Sequence, residues 1–159
     1  MTRAFPLLTA CVIVLAASVV PVRADQGCKP VVGHFEASVV PCPPGPSPIC
    51  TTGRVWGGIQ GMYDFVMTTM VSSLPGGVPT IFFFTGRSTI LLKSGDVLFG
   101  TDTGSIDLPP GQGGFASLIT FDGGTGGTSG ATGQIRLRGE FSATEGTTIG
   151  DYLGTLCTP

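Results

Sequence analysis

Charge is what this chain has least of. Only 11% of its 159 residues are Asp, Glu, Lys or Arg, and the eight basic ones form no stripe. A nucleic-acid binder is excluded, because nothing could neutralise successive phosphates. So few charges, with 26 glycines, also argue against amphipathic helices and for short strands joined by tight turns. Histidine occurs once, at His34. A serine-hydrolase triad needs a histidine base, and His34 sits in no nucleophile motif. The cysteines lack paired Cys-x-x-Cys spacing, so no metal site is expected. The glycine-rich run Gly123 to Gly133 is followed by no Lys-Ser or Lys-Thr and opens onto a strand pattern, which excludes a phosphate cradle. No cofactor is expected.

Long apolar runs are also missing, except at the start. Arg3, the apolar stretch Phe5 to Val20 and then Val22-Arg23-Ala24 have the form of a secretory signal peptide cleaved after Ala24. The run is shorter than the ~20 residues a membrane span requires. Leu8-Thr9-Ala10-Cys11 has the look of a lipoprotein cleavage box, but it precedes most of the apolar core and is set aside. The expected organisation is a signal peptide over 1–24 and one domain over 25–159, secreted or periplasmic and off the membrane once cleaved. Without Arg3 and Arg23, six basic residues face ten acidic ones, a net charge of −4.

Four cysteines then remain, Cys28, Cys42, Cys50 and Cys157, an even number suited to an oxidising compartment. They allow three pairings. The favoured one joins Cys42 to Cys50, stapling a proline-rich loop over 41–52, and Cys28 to Cys157, tying the first strand to the last. A closed barrel would permit that second bridge, because its terminal strands are neighbours.

Alternation supplies the strands. Val31 to Val40 places Phe35, Ala37 and Val39 on one face and His34, Glu36 and Ser38 on the other. Gly53 to Val71 reads as one bent strand or two. Thr80 to Leu92 includes Ile81-Phe82-Phe83-Phe84, apolar on both faces and expected to be covered on both. Lys93 to Asp96 is a hairpin turn into Val97 to Thr103, and Gly104 to Gly114 is a loop. Phe115 to Phe121, Gln134 to Ser142 and Thr147 to Cys157 complete seven or eight strands. A meander of that number, tied end to end, most simply closes into an all-β, antiparallel, lipocalin-like barrel, which also removes exposed edges.

Phe121-Asp122-Gly123-Gly124-Thr125-Gly126-Gly127-Thr128-Ser129-Gly130-Ala131-Thr132-Gly133 resembles the turn of the allene oxide cyclase and dirigent barrel superfamily. Gly57-Gly58-Ile59-Gln60-Gly61-Met62-Tyr63-Asp64-Phe65 and Gly150-Asp151-Tyr152-Leu153-Gly154 are similar to strands of its secreted bacterial members. The resemblance implies an eight-stranded barrel around a mostly apolar cavity, cyclase or radical-coupling chemistry without a cofactor, and assembly as a trimer. The cysteine-rich front end departs from the plant enzymes, and no catalytic residue is carried over.

Polar residues on apolar faces mark candidate sites, because burial forces them to pair or to face a cavity. Tyr63 shares parity with Ile59 and Phe65, Arg87 with Ile81, Phe83 and Leu91, and Asp151 with Ile149 and Leu153. If those faces line the lumen, Ile59, Tyr63, Phe65, Phe83, Arg87 and Asp151 form a ligand pocket, and Tyr63, Arg87 and Asp151 are its catalytic candidates. A structural ion pair is the plainer reading of the Arg and Asp. His34 with Glu36, and Arg136 with Arg138, read as wet outer faces, and Trp56 as an interface or rim residue. Three functions follow: an exported barrel that encloses a small apolar or amphipathic molecule as carrier, protectant or folding guide, a cofactor-free cyclase or isomerase, and a structural or adhesion barrel. A cavity of several hundred Å³ favours the first two and a filled core the third; an acid and a cation together on its floor favour catalysis.

Overall fold

The computed structural model describes residues 27–45, 47–78, 80–109 and 112–159. The expected signal peptide over 1–24, with Cys11, lies outside these. Eight strands run in chain order: β1 (Gly27–Val40), β2 (Cys50–Gly57), β3 (Gly61–Ser72), β4 (Ile81–Leu92), β5 (Val97–Asp107), β6 (Gln112–Gly124), β7 (Thr132–Ser142) and β8 (Thr147–Thr158). Each pairs antiparallel with its predecessor, and β8 closes on β1. The long stretch after the proline loop is two strands, broken at the turn between Gly57 and Gly61. β5 runs four residues past the expected Thr103, so most of the expected loop from Gly104 is strand.

Closure is secured at the seam. Cys28 faces Cys157 in the β1–β8 register and is bonded to it, and Cys42 is bonded to Cys50, the pairing favoured from the sequence. No helix among the described residues is long and apolar enough to cross a membrane.

The two ends differ. At one, the connections are short turns, and Val31, Ile90, Leu98, Ile119, Ala131, Ile135 and Tyr152 are buried together. Tyr152 pins this end. It crosses Gly33, where a Cβ would lie 2.5 Å from its hydroxyl and 2.0 Å from the Trp56 carbonyl oxygen. Its hydroxyl accepts the Ile59 N–H at 2.8 Å and donates toward the Ile59 carbonyl at 3.1 Å. Tyr152→Phe leaves the Ile59 N–H buried without an acceptor, so urea unfolding is expected to show a loss of about 1–3 kcal/mol.

The glycine-rich turn after β6 packs beside this end. Gly126 has φ +54°, and a Cβ there would collide with Asp96 Oδ1 at 1.9 Å. Thr128 locks the turn by donating its hydroxyl to the Val97 carbonyl at 2.8 Å. The other end carries the described residues of the disulfide-stapled loop, residues 73–78, 80, 108 and 109, and the turn 143–146, and the lumen opens there.

The inward face differs from expectation in two strands, β4 and β8, and one residue of β1 is exposed. In β4, Phe84 is buried while Ile81 and Phe83 are exposed, so only one face is covered: the lumen takes Phe84, Gly86, Ser88 and Ile90. Val39, expected inside, is exposed near the end of β1, beyond the packed core. In β8 the inward side chain is Tyr152, and Ile149 and Leu153 face out.

Candidate functional site

Toward the open end the lumen holds a cavity of about 60 Å³, well short of the several hundred expected for a drug-sized ligand. Phe35, Phe65, Met67, Phe84, Leu137 and Phe141 form most of its wall, and Ile49 and Thr51 reach it from the stapled loop and the start of β2. Phe65 meets Phe84 edge to face with ring centroids 5.6 Å apart, and Phe35 meets Phe115 likewise. These paired rings make the wall stiff and apolar.

One acid faces this space. Asp102 projects inward from the middle of β5, flanked on its own face by Gly100 and Gly104, and is 2% exposed. Ser88 on β4 donates to Asp102 Oδ2 at 3.1 Å, and the Ser88 and Tyr63 hydroxyls lie 3.3 Å apart. Ser117 on β6 faces the same cavity. Asp102 Oδ1 is buried with no hydrogen-bond partner, and the only other such atom among the described residues is Asp107 Oδ1, at the end of β5. Burial raises Asp102 to about 6, against the opposing pull of the Ser117, Ser88 and Tyr63 hydroxyls. Burial, and then the Asp102 charge, push the Tyr63 phenol far up, so it stays neutral.

No cation accompanies the acid. Lys29, Arg54, Arg87, Lys93, Arg136 and Arg138 are all exposed, as is His34, and no group of three or more His, Cys, Asp or Glu among the described residues could hold a metal ion.

The sequence-derived candidates are thus divided. Tyr63 and Phe65 line the cavity. Ile59 is buried but sits in the turn between β2 and β3, plugging the closed end. Phe83, Arg87 and Asp151 stand on the outer wall, because the lumen face of β4 is carried by Phe84, Gly86, Ser88 and Ile90 and that of β8 by Tyr152 and its even-numbered neighbours. Arg87 holds Asp122 in a two-point pair, with Arg87 Nη2 to Asp122 Oδ1 at 3.0 Å and the Thr101 hydroxyl donating to Oδ2 at 3.2 Å. The Arg87 guanidinium keeps the Asp122 carboxyl below its ordinary range. With the two side chains 48% and 41% exposed, Arg87→Ala is expected to cost no more than about 1 kcal/mol in chemical denaturation. Asp151 instead meets His34, with Nδ1 2.5 Å from Oδ1 and both side chains more than half exposed. Trp56 lies beside that pair on the outer wall, its ring centroid 5.9 Å from that of His34.

Asp102, Ser88 and Ser117 were missed. Asp102 shares parity with Leu98 and Ile106, so the rule applied to β3, β4 and β8 would have found it. Its glycine neighbours removed the apolar contrast that drew attention elsewhere.

No family model matches the chain, and no curated protein matches it. Among solved structures, it is similar to a pterocarpan synthase dirigent protein at 16% identity with a TM-score of 0.34, over 91% of this chain and 98% of that one.

Proposed function

We propose that the protein is an exported barrel that takes a small apolar molecule, or one end of a larger one, into its open end without covalent chemistry. The observation that carries this reading is the buried, unpartnered oxygen of Asp102 facing an apolar cavity. A polar atom in that state costs stability unless something bonds to it, and a structural filler would be apolar. The size of the cavity limits the fully enclosed portion to a few heavy atoms, so a ring-sized ligand leaves part of its skeleton in the open mouth beside Ile49, Thr51 and Phe141. Export is supported by the leader-like first 24 residues and by two disulfides.

A second reading, a cofactor-free cyclase or isomerase, is favoured by one feature. Asp102 titrates near neutrality beside a neutral phenol, the pairing that general acid–base chemistry uses. The missing cation on the floor counts against it, since nothing there would stabilise a developing negative charge.

Native mass spectrometry of protein purified from its own host tests the binding reading and reports subunit number as well. A bound small molecule is expected, and Thr51→Phe, which narrows the mouth, should abolish the adduct while circular dichroism stays unchanged. Protein that carries no adduct from its host, and takes up none from a panel of small apolar compounds, would leave the structural-barrel reading in its place.

A further inference from the structure

The lumen is asymmetric in its hydrogen bonding as well as its charge. Its polar side chains are Asp102, Ser88, Ser117 and Tyr63, with Thr51 and Thr148 also lining the cavity. Asp102 Oδ2 accepts from Ser88, while Oδ1 makes no hydrogen bond of ordinary geometry although the Ser117 and Tyr63 hydroxyls lie near the same carboxyl. Every lysine and arginine among the described residues is on the outside, so no protein cation can answer this oxygen.

We infer that the molecule this lumen accepts carries a hydrogen-bond donor, a hydroxyl or an ammonium group on an otherwise apolar skeleton, which it gives to Asp102 Oδ1, and that carboxylates are rejected. This rests on the binding reading above. The chemistry follows from the surroundings: a donor entering beside Phe65, Met67 and Phe84 satisfies the orphan oxygen and buries its skeleton in one movement. A carboxylate would place a second negative charge within a few ångströms of the first, in an apolar-walled cavity with no lysine or arginine among the described residues to separate them. A hydrocarbon of the same shape would gain the apolar contact and leave Oδ1 as it was.

The test uses one skeleton with four ends. Cyclohexanol, cyclohexylammonium, cyclohexanecarboxylate and methylcyclohexane are titrated at pH 7.5 into the mature, disulfide-bonded protein, with binding read by protein chemical shifts of Phe65, Phe84 and Tyr63. The alcohol and the ammonium are expected to bind on the order of 10- to 100-fold more tightly than the carboxylate, as a charge-assisted bond predicts. In Asp102→Leu, which removes the acceptor, methylcyclohexane should bind at least as well as cyclohexanol. Arg87→Ala, on the outer wall and away from the cavity, should keep the preference and shows that a folded variant can report it. Equal binding of all four, tighter binding of the carboxylate, or a preference for the alcohol that survives in Asp102→Leu would overturn the donor assignment while leaving a binding lumen. Binding of none of the four, to the wild-type protein or to Arg87→Ala, would overturn the binding reading and this inference with it.

Discussion

Replacing Cys28 and Cys157 with alanine is expected to lower stability by about 5 kcal/mol, roughly twice the loss from removing the Cys42–Cys50 bridge. The asymmetry comes from the unfolded chain. One bridge closes a loop of sequence separation 129 and the other a loop of 8, and the entropy denied to the unfolded state grows with the logarithm of that length. The native barrel changes little, because β1 and β8 are hydrogen-bonded from Gly27↔Thr158 to Ser38↔Thr147 whether or not the sulfurs are joined. For a domain whose whole stability is on the order of 5–15 kcal/mol, losing the longer bridge brings the chain to the edge of unfolding. Urea midpoints of Cys28→Ala/Cys157→Ala and Cys42→Ala/Cys50→Ala, compared at equal m-value, check this. A larger loss from the shorter bridge would show that the stapled loop stabilises the native state directly, through Ile49 and Cys50, and would remove the entropic account.

The barrel itself was legible, and the reasons are local. Alternation in β1 marked Phe35 and Ala37 as inward, and the even cysteine count with two widely separated members pointed to joined terminal strands. The glycine-rich turn announced a sharp reversal, and Gly126 and Gly130 do adopt positive φ there. What failed was the choice of face where both were apolar or where glycine carried the inner one. In β4 the odd positions hold Ile81, Phe83 and Leu91, and the even ones Phe82, Phe84, Ile90 and Leu92; hydrophobicity does not choose between them. Size and charge do: a narrow lumen admits Gly86 and Ser88, and an arginine at position 87 reaches water and Asp122 only from outside. In β5 Asp102 stands between Gly100 and Gly104 on the lumen face, and in β8 Tyr152 stands between Gly150 and Gly154. Glycine has no side chain to register in a pattern, so the strands with most room inside are the hardest to read. The residues that matter most to the site stood in that blind spot.

Asp102→Asn is expected to make the protein more stable at pH 7, by up to about 3 kcal/mol, and to make no difference near pH 4. The folded protein holds this carboxyl at about 6 against an ordinary 3.8, so between those values the native state binds a proton that the unfolded chain has released. Stability therefore falls as pH rises through that window and stays reduced above it; at ~1.4 kcal/mol per pH unit the shift amounts to about 3 kcal/mol. Asparagine removes the buried charge and keeps an oxygen for Ser88, at the cost of an amide that must find Tyr63 or Ser117, which makes the figure an upper bound. Other carboxylates also titrate, Asp122 in the opposite sense, so the informative quantity is the difference between the two chains in urea unfolding at pH 4, 5, 6 and 7. A difference that does not grow with pH would mean that Asp102 is already satisfied when ionised, and Oδ1 would no longer be evidence for a ligand. A difference that grows as expected identifies a group that weakens the empty barrel at the pH where its negative charge could hold a donor. That is the trade between stability and binding common to functional sites, and here it resides in one oxygen atom.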